Sequence, residues 1–161
     1  VERKNMADML VRLYDLPDTH DRLRTLADRG VIIRRAAAWE RKAVVQWIEK
    51  HFGDGWASEC EVAFSGQPVT CLIATRDRQI VGFGCYDATC LNFFGPAGVD
   101  ERERGQGIGS GILLVCLEAM RAAGYAYAII GGVGPKEFYR RVAGAIEIPD
   151  SSPGIYTDIL R

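Results

Sequence analysis

The sequence has no surplus of charge: 20 Lys and Arg stand against 21 Asp and Glu, for a formal net charge of -1. A general nucleic-acid binder needs an excess of cations to displace phosphate counterions, so the balance argues against that class. Only a local basic patch occurs, around Arg102 and Arg104. No uninterrupted apolar run approaches the ~20 residues that span a bilayer. The opening "VERKNMADML" lacks the apolar centre of a secretory signal. A cytoplasmic protein with neither a membrane nor a nucleic-acid partner is therefore expected. Also lacking is any pair of cysteines at zinc-binding spacing. The five cysteines, Cys60, Cys71, Cys85, Cys90 and Cys116, are an odd number without a CxxC motif. Reduced thiols packed as small apolar residues, and no metal, follow from that usage. Repeats, low-complexity tracts and interdomain linkers are missing too.

What is present is an alternation of helical and extended patterns. Met6, Met9, Leu10 and Leu13 recur at helical spacing until "DLPD" breaks the run, and a second helix, capped by Asp18 or Thr19, stops at Gly30. These two helices make residues 1-30 an N-terminal helical extension ahead of a domain spanning 31-161. "VIIRRA" is a β-branched strand. The segment from Trp39 to Gly55 returns to helix, and a shorter helix runs from Trp56 to Gly66. "PVTCLIATRD" and "QIVGFGCYDA" form a hairpin about Asp77-Arg78. "CLNFFGPAGVD" is a strand interrupted at Gly95-Pro96, where proline favours a bulge or local opening. A long apolar helix follows the glycines, then the buried strand "YAYAIIGGVG", the helix "PKEFYRRV", and two closing strands, "AIEIP" and "GIYTDIL". That order predicts a mixed α/β domain around one sheet.

Four glycines fall between Gly105 and Gly111, directly before that apolar helix. Bare backbone in that density weakens packing but gives an anion close access to N–H groups. The first turn of a helix supplies unpaired N–H donors and partial positive charge. A P-loop needs Gly-Lys-Ser/Thr, which is absent, and the glycine spacing does not fit GxGxxG. Arg104-Gly105-Gln106-Gly107-Ile108-Gly109 fits RxxGxG.

"GVDERERGQGIGSGIL" resembles the pyrophosphate loop of the GNAT N-acetyltransferase superfamily, and "EFYRRVAGA" resembles its "FYxxxGF" stretch with one residue inserted. The resemblance runs from about Val31 to the C-terminus. It implies a mostly antiparallel mixed sheet with flanking helices and acetyl-coenzyme A as co-substrate. Arg104, Gly105, Gln106, Gly107, Gly109 and Ser110 would then hold the coenzyme's diphosphate. Ala97 and Val99 would pair with its pantetheine arm, in an opening between "FFGPAGV" and "YAIIGGV". Many relatives carry an Asn near Gly131-Gly132, and none stands there in this chain.

Direct attack of a primary amine on the thioester, with both substrates bound, is the implied reaction. Tyr139 matches the family tyrosine that serves the departing thiolate, and a phenol is protonated at neutral pH. The base is open. Phe93, Phe94 and Gly95 occupy the region where a carboxylate is often found, so Asp87, or Glu61 acting through a water, is the nearest acid. His20 and His51 sit in segments read as surface, and Trp39, Trp47 and Trp56 as core, with Trp56 and Phe64 near the acceptor. Cys85 and Cys90 bracket the site as packing residues. The acceptor would be a small-molecule or peptide amine. A catalytically weak acyl-coenzyme A-binding regulatory module is the alternative, and the N-terminal helices are a candidate homodimer surface.

Overall fold

The computed structural model describes residues 6-160. A seven-stranded sheet carries helices on both faces. Strands β1 (Met9–Arg12), β2 (Val31–Arg35), β3 (Cys71–Arg76), β4 (Gln79–Tyr86), β5 (Phe93–Val99), β6 (Tyr127–Ile130) and β7 (Ile146–Glu147) lie in the order β2-β3-β4-β5-β6-β1-β7. The one parallel neighbour pair is β5 with β6. Helices α1 (His20–Asp28), α2 (Arg41–Phe52), α3 (Asp54–Ala63), α4 (Ile108–Ala122) and α5 (Lys136–Ala143) complete the fold.

Alternation along the strands divides the interior in two. On β3, Leu72 and Ala74 join the core under α4, while Cys71 and Ile73 join the core under α2 and α3. The first core includes Leu26 of α1 and Ile112, Leu113, Cys116, Leu117 and Met120 of α4. The second is built on Val44, Ile48, Ala57 and Cys60 against Phe83 and Cys85. Each fully buried Leu, Ile or Phe stabilises such a layer by about 1.5–3 kcal/mol. Helix α4 lies so close to β4 that a β-carbon at Gly84 would sit 2.5 Å from Ile112 Cγ2.

The hairpin is where the sequence places it, with Asp77 and Arg78 both at positive φ. Two expectations are corrected. The segment read as the first N-terminal helix is strand β1, with Met9 and Val11 fully buried, followed by a short 3-10 turn at Leu13–Asp15. Four residues are too few for periodicity to tell helix from strand. The partners decide: Met9 pairs with Ile130 on one side and Glu147 on the other. Conversely "GIYTDIL" forms no strand: the sheet ends at β7, and residues 154-160 run in turns and bends beyond it. The second predicted helix is α1. Residues 1-5 of the expected extension lie outside the described residues.

Candidate active site

β5 and β6 pair only at Phe93↔Ile129 and Phe94↔Ile130. Beyond Phe94, β5 stays on β4 as far as Val99, while β6 ends and the chain turns through Gly131 and Gly132. The strands therefore part, leaving the edge of Gly95–Val99 without a partner strand. Asp8 fixes the far lip: its buried carboxylate accepts the Gly132 N–H at 2.8 Å, and Ala7 O accepts the Val133 N–H at 3.0 Å.

Two cavities meet at this split. One, of about 810 Å³, runs from β5 to the start of α4; the other, of about 620 Å³, lies between the Phe93–Ala97 segment and the Gly131–Pro135 turn. Phe52, Trp56, Phe94, Ala97, Pro135 and Tyr139 line both.

The larger cavity gathers backbone amides and positive charge at one end. Gly105 and Gly107 adopt φ +83° and +86°, a conformation costly for other residues, which swings the chain into α4. The first intrahelical bond runs from Gly111 N to Gly107 O at 3.0 Å, so the amides of the preceding residues remain free to donate outward. Asp100 braces the approach by accepting the Arg102 N–H at 3.0 Å. Its carboxyl is held below the usual range by that arginine's side chain. Arg22, Arg104 and Arg141 line this cavity, facing one acid, Glu103, that is already paired with Arg76. A diphosphate fits this donor set.

Of the residues predicted to hold the coenzyme, Ala97, Val99, Arg104, Gly105, Gly107, Gly109 and Ser110 line this cavity together. Gln106 turns away, its side chain bonded to Arg76 at 2.9 Å and to Glu103 at 3.0 Å. Arg102 is exposed and pairs with Asp100.

Tyr139 stands at the junction, edge-on to Phe138 and Phe94, with ring centroids 5.1 and 6.3 Å away. Burial pushes its hydroxyl up to about 12. Asp87 lines neither cavity. Its Oδ1 accepts the Asn92 N–H at 2.8 Å, and its Oδ2 the Tyr125 hydroxyl at 3.1 Å, so it ties a turn together. Glu61 pairs with Arg41 on the surface and also lines neither.

His51, read from the sequence as a surface residue, lines the smaller cavity. Its ring stacks on Trp47 at 4.4 Å, Nδ1 lies 2.8 Å from Trp47 O, and Nε2 lies 3.6 Å from Asp100 Oδ2. Donation from Nδ1 to the carbonyl leaves the other nitrogen as the basic one. Trp56 lines both cavities as anticipated, Phe64 lines neither, and Trp39 is 87% exposed instead of core. Phe52 and Arg22 lie in no motif, Arg141 lies within "EFYRRVAGA" at a position to which the sequence assigns no role, and only tertiary structure gathers the three.

Cys60, Cys71 and Cys85 converge beneath α3, their sulfurs all within 4.8 Å of one another. Contact with Cys71 and Cys85 favours the thiolate at Cys60, and contact with Cys60, with burial, pushes the other two thiols up.

The sheet splits beside a glycine-rich helix start, and the two cavities meet at a tyrosine. The sequence model of the acetyltransferase (GNAT) family matches residues 36–144, and the chain belongs to that family. No curated protein matches the chain. Among solved structures, the glucosamine N-acetyltransferase region of a fungal multi-domain β-N-acetylglucosaminidase superposes with TM-score 0.72 at 17% identity, over 89% of this chain and 20% of that one. The GCN5-related N-acetyltransferase of Sphaerobacter thermophilus gives 0.66 at 20% identity, over 89% and 48%. A Brucella melitensis GNAT acetyltransferase in complex with acetyl-CoA gives 0.55 at 20%, over 74% and 91%. The chain thus spans a fifth of the first structure and about half of the second. No helix among the described residues is long and apolar enough to cross a membrane.

Proposed function

We propose that the protein transfers an acetyl group from acetyl-coenzyme A to a primary amine, by direct attack with both substrates bound. The carrying observation is the continuity of the two cavities at Tyr139. The coenzyme would supply an acetyl group activated as a thioester. The amides at the start of α4 and the arginines at 22, 104 and 141 would hold its diphosphate, with the open edge of β5 along the pantetheine.

Orientation of two reactants at one junction supplies much of the rate. Tyr139, protonated throughout the physiological range, donates to the departing sulfur. His51 is assigned to accept the amine's proton through a water: among the described residues it is the one imidazole lining the acceptor cavity, and its Nε2 lies 3.6 Å from Asp100 Oδ2. Asp87 and Glu61, engaged elsewhere, are not assigned that role.

Calorimetric titration with coenzyme A, alongside thiol release from acetyl-coenzyme A in the presence of an amine panel, tests the proposal. Binding plus amine-dependent release supports it. Binding with release at background overturns it in favour of a coenzyme-responsive regulatory module, and no binding overturns both.

A further inference from the structure

We infer that the acceptor is a primary amine on an apolar, aromatic scaffold, carrying no carboxylate, phosphate or second ammonium. This rests on the transferase proposal and names the substrate class of the same site. Among the described residues, no Asp, Glu, Lys or Arg side chain lines the acceptor cavity. Its walls are rings and aliphatic groups: Phe93, Phe94, Tyr156, Trp56, Ile130 and Val133. The polar side chains are few. Thr89 already donates to Glu59 at 2.6 Å, and His51 has a partner near each nitrogen. The carboxylates behind this wall are turned to partners of their own, Glu59 to Thr89, Asp8 to the Gly132 N–H and Asp100 to Arg102, and none of them lines the cavity.

A polyamine would bury a second ammonium with no counter-charge, and an amino sugar would bury hydroxyls with few partners. Each unpaired polar group costs about 1–3 kcal/mol. An arylalkyl amine has no such cost, fits within a space of about 620 Å³ and stacks on the ring walls. The apolar wall also acts on the nucleophile. Leaving water disfavours the ammonium, so entry itself promotes the neutral amine that attack requires.

The test compares kcat/KM for phenethylamine and tryptamine with that for spermidine, glucosamine and lysine, read as thiol release with the full chain. The aromatic amines should lead by about 100-fold or more. A lead by spermidine, glucosamine or lysine overturns the inference. If no amine is acetylated, tryptamine binding to the coenzyme-saturated protein still decides: binding tighter than that of spermidine upholds the apolar site while the transferase proposal falls, and equal or weaker binding overturns the inference as well. Met6→Glu places a carboxylate in the same wall and should cut the tryptamine-to-spermidine ratio at least tenfold; an unchanged ratio overturns the charge argument.

The thiol trio independently carries a second proposal. We propose that Cys60, Cys71 and Cys85 form a site for a thiophilic ion bound as a neutral tris-thiolate. A bond to sulfur of about 2.3 Å sets the sulfurs of a three-coordinate site about 3.5 Å apart when it is pyramidal and about 4 Å apart when it is planar. The Cys60–Cys71 separation is 3.8 Å, and all three sulfurs fall within 4.8 Å. All three residues are fully buried in an apolar core, where a complex of net charge would be costly. Arsenite meets that condition. Three S–H bonds and three As–OH bonds break, three As–S bonds form, three waters leave, and no electron is transferred. Reduced protein incubated with arsenite should retain one arsenic per chain by native mass spectrometry, slowly, because α3 must lift. Cys60→Ala and Cys85→Ala should each abolish retention, and Cys90→Ser should keep it. No retention, or retention unaffected in Cys60→Ala, overturns the site.

Discussion

The ring of Phe52 lies over Gly98, where a β-carbon would sit 2.5 Å from the ring's Cζ. Trp56 and Phe83 hold that ring from other sides, with centroids 5.2 and 5.7 Å away. It therefore cannot withdraw without disturbing the wall common to both cavities. Gly98→Ala should cost about 1–3 kcal/mol in urea unfolding and weaken coenzyme binding in calorimetry. Unchanged binding at lowered stability would separate the ring's packing from the cavity's shape.

Gly107 precedes α4 at φ +86° with open space around it, so an added methyl clashes with nothing but strains the backbone. Gly107→Ala should cost about 1 kcal/mol of stability and more than tenfold in coenzyme affinity, since the amides must re-aim. Thermal unfolding and calorimetry check the two losses separately.

Tyr139→Phe removes the hydroxyl of a ring that lines both cavities and leaves the ring's packing in place, so stability near neutrality should change little. Turnover should fall at least tenfold while coenzyme affinity stays within about threefold. The pH dependence is separate. The folded phenol is raised to about 12 from the ordinary 10.0, so the unfolded chain sheds this proton first. Wild-type stability should therefore fall as pH rises from 10 toward 12, and the phenylalanine variant should lack that part of the fall.

Glu40 accepts two hydrogen bonds from Arg34, at 2.6 and 2.9 Å, and one from Ala37 N at 2.8 Å. The arginine lowers its carboxyl to about 2 from 4.5. The stabilisation is complete above pH 4.5 and fades as pH falls toward 2, because the unfolded carboxylate takes up its proton first. Glu40→Gln should cost about 1 kcal/mol at neutral pH and flatten stability over that acid window, read by denaturant titration across pH.

Asp8→Ala should leave the Gly132 amide without its acceptor at the lip of the acceptor cavity. A loss of about 1–3 kcal/mol is expected, with KM for the amine raised more than coenzyme Kd. Steady-state kinetics beside calorimetry resolves that split.

Much of this fold is legible in the chain because local chemistry dictates it. The α4 pattern, the Asp77-Arg78 turn and the RxxGxG approach each occupy one continuous stretch. Features made by distant segments leave no local mark. β1 is extended because of β6 and β7, not because of Met9–Arg12 itself. His51 reaches the cavity through the direction of the last turn of α2, which helical spacing alone cannot orient toward a cleft built by later residues. The thiol trio comes from three elements, so no spacing motif announces it. Position along the chain puts Asp87 at the end of β4, but the Asn92 backbone N–H and the Tyr125 hydroxyl engage its two oxygens, which only the folded turn reveals.

Inserting β1 between β6 and β7 also sets an order of events in biosynthesis. Its residues leave the ribosome before either neighbour exists, and must wait in a state that keeps Met9 and Val11 from premature pairing. Only after Glu147 has emerged can the sheet knit shut and Asp8 seat the Gly132 turn. The Gly131–Pro135 side of the split is thus finished late, by a segment made well before it.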